Sequence, residues 1–453
     1  MSSRGGGRDE ESGDRADHAD LVGTADRAGN AGRAGNTDRA GNAGRAENAN
    51  RGGNADRAVL RRYYGYRATV NNGFFLPVGI IYIEHQGLGL DVIGFTQGVF
   101  LLALVGFQLP TGYLGDRIGR RNTVLLGALV VTGVMVLYPL GNSLWTFTAL
   151  YVAWAFGWSC REGAGEAWLY DLLATGLDPD AYASVDGRAR AIELAASAVS
   201  AAIAGLLYTV DPTLPFLANA AVTAAGVPLL VMLPKAEGQV PDRRPSITAV
   251  AHTARTQLSR PDVRWFVAFL AVIYACFEVT RAFEQPAAVE VGVPVALLGV
   301  LYSAFKLVSA AGAALAGPIH DRFGVRPVFV ALAPILAIAY LSAAFVPQLL
   351  VGVFFLTRSI QSVTVPVQNQ YLNDRVADAG RATVLSAVSM VTALAGAMAH
   401  FVAGSIAPSV GSVGVIVGAG LACSVVAGVV WALTTPVEGP VDSPEPITVR
   451  RVP

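Results

Sequence analysis

Between Leu144 and Leu173 the sequence is mostly apolar, yet it carries Arg161, Glu162 and Glu166, with Asp171 near the end of the run. Glu162 and Glu166 are one helical turn apart, so on a helix they share a face beside Trp158. Two carboxylates on one apolar face repel when both are ionised, so one of them can hold a proton near neutral pH. The competing arrangement is a static ion pair of Arg161 with Glu162 or Glu166. A second apolar run holds Glu278, Arg281 and Glu284, with the first two spaced to pair on a helix. Lys306 stands midway along a third run, Arg358 and Gln361 share a fourth, and Asn71 and Asn72 interrupt the first. A charge inside an apolar span costs about 2.5–3.5 kcal/mol on insertion scales, so such groups face a protein interior or a wet cavity. The chemistry open to them is proton binding and recognition of a polar or charged solute. Any single Asn or Gln among them can equally be glue between helices.

Covalent catalysis and metal chemistry find no comparable footing. The five histidines (His18, His85, His252, His320 and His400) are scattered, and no HExxH, GxSxG or P-loop pattern occurs. Cys160, Cys276 and Cys423 lie in apolar runs without a CxxC or Cys/His cluster, the setting of small buried hydrophobes. An enzyme is therefore not expected, nor a cofactor. The formal net charge is zero, which points to no nucleic-acid partner.

These groups need a scaffold, and composition says which. The chain is 53% hydrophobic and 15% charged, where a soluble chain carries about 25% charged residues. A membrane helix needs about 20 mostly apolar residues. Twelve candidates fall near 65–84, 91–114, 122–140, 144–171, 189–209, 213–233, 264–285, 294–319, 327–345, 347–372, 382–405 and 412–434. The longest polar break, about 234–263, includes a stretch over 246–259 that can form an interfacial amphipathic helix. Before the spans, Arg27, Arg33, Arg39, Arg45, Arg51 and Arg57 recur every six residues with Asn30, Asn36, Asn42, Asn48 and Asn54 between them. That tail has almost nothing to bury and is expected to be disordered, without the aromatics of an RNA-binding repeat.

Basic residues alternate strictly along the joints. Arg117, Arg120, Arg121, Arg188, Arg190, Arg322, Arg326, Arg375 and Arg381 and the central loop fall on one side. The joints 85–90, 141–143, 210–212, 286–293, 346 and 406–411 hold no Lys or Arg. The basic side is expected to be cytoplasmic, together with both termini.

Two joints repeat each other. Gly112-Tyr-Leu-Gly-Asp116-Arg117-Ile-Gly119-Arg120-Arg121 follows span two, and Gly317-Pro-Ile-His-Asp321-Arg322-Phe-Gly324-Val-Arg326 follows span eight. Gly94, Gly112, Asp116 and Gly119 each recur 205 residues later, at Gly299, Gly317, Asp321 and Gly324. Such an internal repeat suits rocking-type transport. The paired loops resemble the signature of the major facilitator superfamily, G-x-L-a-D-R-x-G-R-R. The first copy matches almost fully, and the second departs at Pro318, His320 and Val325. Arg161-Glu-Gly-Ala-Gly165 is similar to a second family pattern, R-x-x-q-G, with Ala164 in place of Gln, and Arg358-Ser-Ile-Gln361-Ser362 echoes it in span ten.

The resemblance implies an all-α membrane protein of twelve transmembrane helices in two six-helix bundles, residues 59–233 and 264–436. These are flanked by the tail 1–58, the central loop 234–263 and a cytoplasmic segment 437–453. It implies that spans one, four, seven and ten line a central cavity and that the chain moves a small solute by alternating access. The cavity set would be Asn72, Arg161, Glu162, Glu166, Glu278, Arg281, Lys306, Arg358 and Gln361. Gly112, Asp116, Arg117, Gly119, Arg120, Arg121, Asp171 and the second-copy residues Gly317, Asp321, Arg322, Gly324 and Arg326 would form a cytoplasmic latch. In it Arg120 would pair with Asp171, and Asp116 would meet the start of span eleven near Arg381. The alternative is that these loop charges only fix topology. Proton-coupled export by a monomer in the cell membrane is the expected activity, with proton-coupled or facilitative uptake as the alternative. A non-transporting receptor or scaffold is more remote. Span five lacks the Gly-Pro pattern of many drug–proton antiporters, reading Glu193-Leu-Ala-Ala-Ser-Ala-Val-Ser-Ala-Ala-Ile-Ala-Gly205 instead.

Overall fold

The computed structural model describes residues 56–176, 181–235, 255–375 and 381–437, without the side chains of 175, 176, 261, 262, 381 and 382. The repeat tail to residue 55, most of the central loop and the segment after 437 lie outside the described residues. So does all but the last turn of the expected interfacial helix.

Among the described residues every regular element is helical. Span two is Leu90–Ile118, span three Arg120–Leu137 with the turn Tyr138–Leu140, span four Leu144–Gly176, span five Tyr182–Val210 and span six Leu214–Met232. In the second half, span seven is Pro261–Glu290, span eight Val295–Phe323, span nine Val325–Val330 with Leu332–Phe345, and span ten Leu350–Arg375. Spans eleven and twelve run on from each other as Arg381–Thr434, turned at Gly411, whose φ of 76° is left-handed. The carboxylate of Glu290 caps the helix that starts there, accepting bonds from Ser412 N (3.1 Å) and Val413 N (3.2 Å).

Nine helices among the described residues are long and apolar enough to cross a bilayer by length and composition. The rest of the expected dozen is accounted for by three features. Gly411 divides one of the nine, span four is a continuous helix made too polar by its charged residues to be counted, and span one is broken.

That break departs from the continuous helix expected over 65–84. Regular helix runs over 56–69, is lost over 70–78, and resumes at Gly79–His85. Asn71, Asn72, Gly73 and Pro77 fall in the gap. Pro77 has no N–H to give to the helical ladder. Gly73 lies so close to span five that a Cβ there would come within 2.3 Å of the Ser197 carbonyl. Bilayer-depth backbone must still be satisfied internally. Asn72 O accepts from Phe75 N (3.1 Å) and Leu76 N (2.8 Å). Gly73 N donates to Asn71 Oδ1 and Val78 N to the Phe75 carbonyl, and three further groups are met from span seven. Gln285 Oε1 accepts from Ile80 N (3.0 Å) and Ile81 N (3.2 Å), while its Nε2 donates to the Leu76 carbonyl (2.7 Å).

The two six-span halves meet toward the end whose joints lack Lys and Arg. There Gly94 of span two packs on Gly404 and the His400 carbonyl of span eleven, and Gly205 of span five on the carbonyls of Val295 and Ala296. Gly299 meets the Ala201 carbonyl, and Ser303 Oγ donates to the Ala198 carbonyl at 2.6 Å. Small residues permit this approach where larger ones would hold the helices apart. Toward the basic end the same helices stand open. No atom lies within 4 Å of where Gly112 or Gly317 would carry a Cβ, in contrast to Gly94 and Gly299 on the same two helices.

Candidate functional site

The charged groups of the spans gather where the halves part. A cavity of about 570 Å³ lies between them, walled by Phe100, Leu104 and Trp154 from the first half and by Tyr302 and Phe305 from the second. Glu278, Arg281, Glu284, Arg358, Lys306 and Glu162 also face it. A smaller space of about 180 Å³ adjoins it inside the first half, reaching Asn71, Asn72, Arg161, Glu166 and Glu193. Trp158, Glu162 and Lys306 belong to both walls, so they mark the junction.

Most charges here are paired. Arg358 Nη2 donates to both oxygens of Glu284, at 2.6 and 2.8 Å, joining span ten to span seven. Its guanidinium also lies 5.4 Å over the Phe305 ring. Arg281 pairs with Glu278 at 3.1 Å, as its spacing allows, and donates to Gln361 of span ten at 3.1 Å. His400 of span eleven, 2% exposed, stands 3.7 Å from Glu278. Arg67 of span one pairs with Glu193 of span five.

Span four differs from its sequence reading. Glu162 and Glu166 do not act as a matched pair of buried acids. Glu166 is exposed toward the basic end and is held by Arg190 at 2.7 Å, which also binds Asp186 at 2.8 Å. One helical turn deeper, Glu162 faces the cavity junction and makes no hydrogen bond or ion pair among the described residues. Nor does Arg161 form the static pair with either acid. It is 9% exposed, and its Nε and Nη1 have no hydrogen-bond partner among the described residues. Lys306 likewise has no hydrogen bond or ion pair among them.

In the loop set, Arg120 donates to Asp171 at 2.6 Å and to the Ala167 carbonyl at 3.0 Å, tying span three to span four. Arg121 caps the end of span six, donating to the Leu233 carbonyl at 2.8 Å. Gly119 and Gly324 both take left-handed φ, 88° and 72°, where span two turns into three and eight into nine. The sequence repeat is thus a backbone repeat as well. Arg117, Asp321, Arg322 and Arg326 are exposed, and the guanidinium of Arg322 lies 5.7 Å over the Phe323 ring. Gly112 and Gly317, the first glycines of the two loop copies, have no neighbouring atom within 4 Å of a Cβ position. Arg381 opens its helix, but its side chain lies outside the described residues.

Several cavity residues escape the sequence reading. Arg67 sits close enough to the start of span one to pass for a joint residue. Glu193 reads as one polar residue in a small-residue helix, and His400 as a stray histidine. Gln285 carries one usable signal: it lies 205 residues after Ile80, the repeat offset, and Ile80 is a residue it binds.

Two six-helix halves, repeated in sequence and backbone and parted by a charged cavity, define a polytopic membrane carrier. The Major Facilitator Superfamily model matches residues 68–283 and again 279–450. The chain belongs to that family, and it is a membrane transporter of that type.

Among curated proteins it is similar to the "Uncharacterized MFS-type transporter YfkF" of Bacillus subtilis, 33% identical over 78 residues, 17% of this chain and 18% of that protein. It is also similar to the "Inner membrane transport protein YajR" of Escherichia coli, 37% identical over 71 residues, 16% of each. The chain thus aligns with less than a fifth of the length of either relative. Among solved structures, the nucleoside transporter NupG matches with a TM-score of 0.67 at 12% identity, over 83% of this chain and 97% of that one. A bacterial homologue of the lysosomal transporter Spinster, inward-facing and unoccupied, matches at 0.64 and 14%, over 85% and 98%. A bacterial homologue of the iron transporter ferroportin, inward-facing, matches at 0.63 and 15%, over 82% and 96%. At these identities the likeness is one of fold.

Proposed function

We propose that this chain is a secondary transporter that exports a small solute across the cell membrane by alternating access, coupled to protons through Glu162. The observation that carries this reading is the asymmetry of the halves. They are sealed by small residues at the joints free of Lys and Arg, and parted at the basic joints around a cavity lined with charge. With the basic side and both termini in the cytoplasm, as the distribution of arginines supports, this is the inward-open state. Transport then requires the halves to rock about the cavity until the basic end closes.

Glu162 is the proton carrier favoured by its surroundings, since it is a carboxylate at the cavity junction with no fixed partner among the described residues. The Arg120–Asp171 pair, Asp116 and the start of span eleven at Arg381 would form the latch of the closed basic end. The test is flux in proteoliposomes, with an imposed pH gradient and candidate solutes inside or outside. Solute movement against its own gradient, towards the face bearing the Lys- and Arg-free joints, supports the reading. Flux that ignores the pH gradient removes the coupling, and net movement the other way removes export.

A further inference from the structure

Where the two cavities join, buried polar atoms are left without partners. Arg161, 9% exposed, keeps Nε and Nη1 unbonded, and Asn72, 6% exposed, keeps Oδ1 unbonded among the described residues. Both line the smaller space. A buried donor or acceptor left unmade costs about 1–3 kcal/mol, and more when the group is charged. A ligand that meets these atoms offsets that cost. Lys306, reached from span eight of the other half, faces the same space and is also unpaired among the described residues.

The charge balance identifies the ligand's head. Arg67 is matched by Glu193, and Arg190 by Glu166 and Asp186. Across the larger cavity Arg281 is matched by Glu278 and Arg358 by Glu284. At the junction, Arg161, Lys306 and Glu162 have no ion pair among the described residues, while Glu193 on the same wall is held by Arg67. The groups left without an ion pair are thus two bases to one acid, and the second acid on Arg190, Asp186, lies outside both cavity walls; an acceptor that carries charge meets such donors most strongly. The larger cavity supplies the rest of the recognition. Trp154 and Phe100 stack with centroids 4.8 Å apart, and Trp158 stands edge-on to Trp154 at 6.0 Å. Its volume is in the range of sites for drug-sized ligands.

We propose that the site takes an amphipathic organic monoanion. Its acidic group lies between Arg161 and Lys306, and its flat apolar body lies against Trp158, Trp154 and Phe100, with Asn72 Oδ1 left to receive a donor carried elsewhere on the solute. The proposal rests on the transport reading only in taking this cavity as the solute site, and it is tested by binding rather than flux.

Purified protein is titrated with four ligands of one shape, following tryptophan fluorescence. They are 1-naphthoate, 1-naphthyl phosphate, 1-naphthylmethanol and 1-naphthylmethylammonium. At least one of the two anions is expected to bind about tenfold or more tighter than the alcohol and the ammonium, a difference of roughly 1.4 kcal/mol. Which anion wins separates a carboxylate from a phosphate head. Lys306→Gln, which removes no contact among the described residues, is expected to erase that preference while leaving the alcohol's affinity unchanged. Arg161→Gln should do the same, and Arg161→Lys should restore part of it. Equal or tighter binding of the alcohol or the ammonium overturns the proposal. So does failure of both anions to bind, or an anion preference that survives Lys306→Gln. Binding as expected without any flux would instead sink the transport reading alone.

Discussion

Glu162 and Glu166 sit one helical turn apart on the same span, yet their surroundings give them different work. Glu166 is exposed and held by Arg190, an arrangement worth little to stability and of no use for carrying a proton across a barrier. Glu162 borders the cavity without a partner among the described residues. Glu162→Gln should therefore abolish pH-gradient-driven flux while solute exchange without a gradient persists, and Glu166→Gln should leave both close to wild type. A flux assay on the two variants separates these outcomes. Equal loss in both would return the acids to a joint role. The buried pair Arg358–Glu284 is different again. Glu284 is 3% exposed at its side chain, so removing its partner strands a charge. Arg358→Gln should lower stability by about 3 kcal/mol, and the neutral double variant Arg358→Met, Glu284→Leu by much less. Thermal unfolding in detergent would read both. Sequence spacing discloses the pairing of Glu278 with Arg281 because both lie on one helix. It cannot disclose Arg358 with Glu284 or Arg67 with Glu193, since those pairs depend on how separate helices rotate toward each other.

At the scale of the helix, apolar run length locates the spans well, because a bilayer fixes the length a span must have. The interruptions are less visible. Span one holds Asn71, Asn72, Gly73 and Pro77, a breaker-rich stretch inside an otherwise apolar window, and averaging hydropathy hides it. What makes the break tolerable is Gln285, a residue of another helix. Gln285→Leu, close in size but without donors or acceptors, should leave Leu76 O and the N–H groups of Ile80 and Ile81 without that partner and destabilise the protein by about 2 kcal/mol. Hydrogen exchange of the Ile80 and Ile81 amides should rise together with it. Unchanged protection would show that Gln285 does not hold the break. The paired loops are legible as a repeat, and their left-handed Gly119 and Gly324 give the physical cause of two of the repeated positions. Gly119→Val should cost roughly 1–2 kcal/mol from backbone strain alone, seen as a lower melting temperature. A neutral change there would deny that the turn demands glycine.

Across the molecule, the two six-span halves share a sealed seam at one end and an open mouth at the other. The seam is made of Gly94 with Gly404, of Gly205 with the carbonyls that open span eight, and of Gly299 with the Ala201 carbonyl of span five. Such contacts can be released without stranding charge. The family and its two-bundle organisation are readable from the duplicated loop, which copies itself at one offset through both halves. The conformation is not readable, since the same sequence must build every state of the cycle, and only coordinates distinguish Gly112 packed from Gly112 in open space.

Alternating access requires reciprocal motion of the two ends. Spin-label distances would test it most directly, in protein whose Cys160, Cys276 and Cys423 are replaced. One label pair, Tyr113→Cys with Ser386→Cys, reports the basic end, and another, Trp145→Cys with Val410→Cys, reports the opposite end. Two distance populations are expected for each pair, with acidification shifting them in opposite directions, so that one end closes as the other opens. A single distance at both ends, unmoved by pH or by bound ligand, would contradict it.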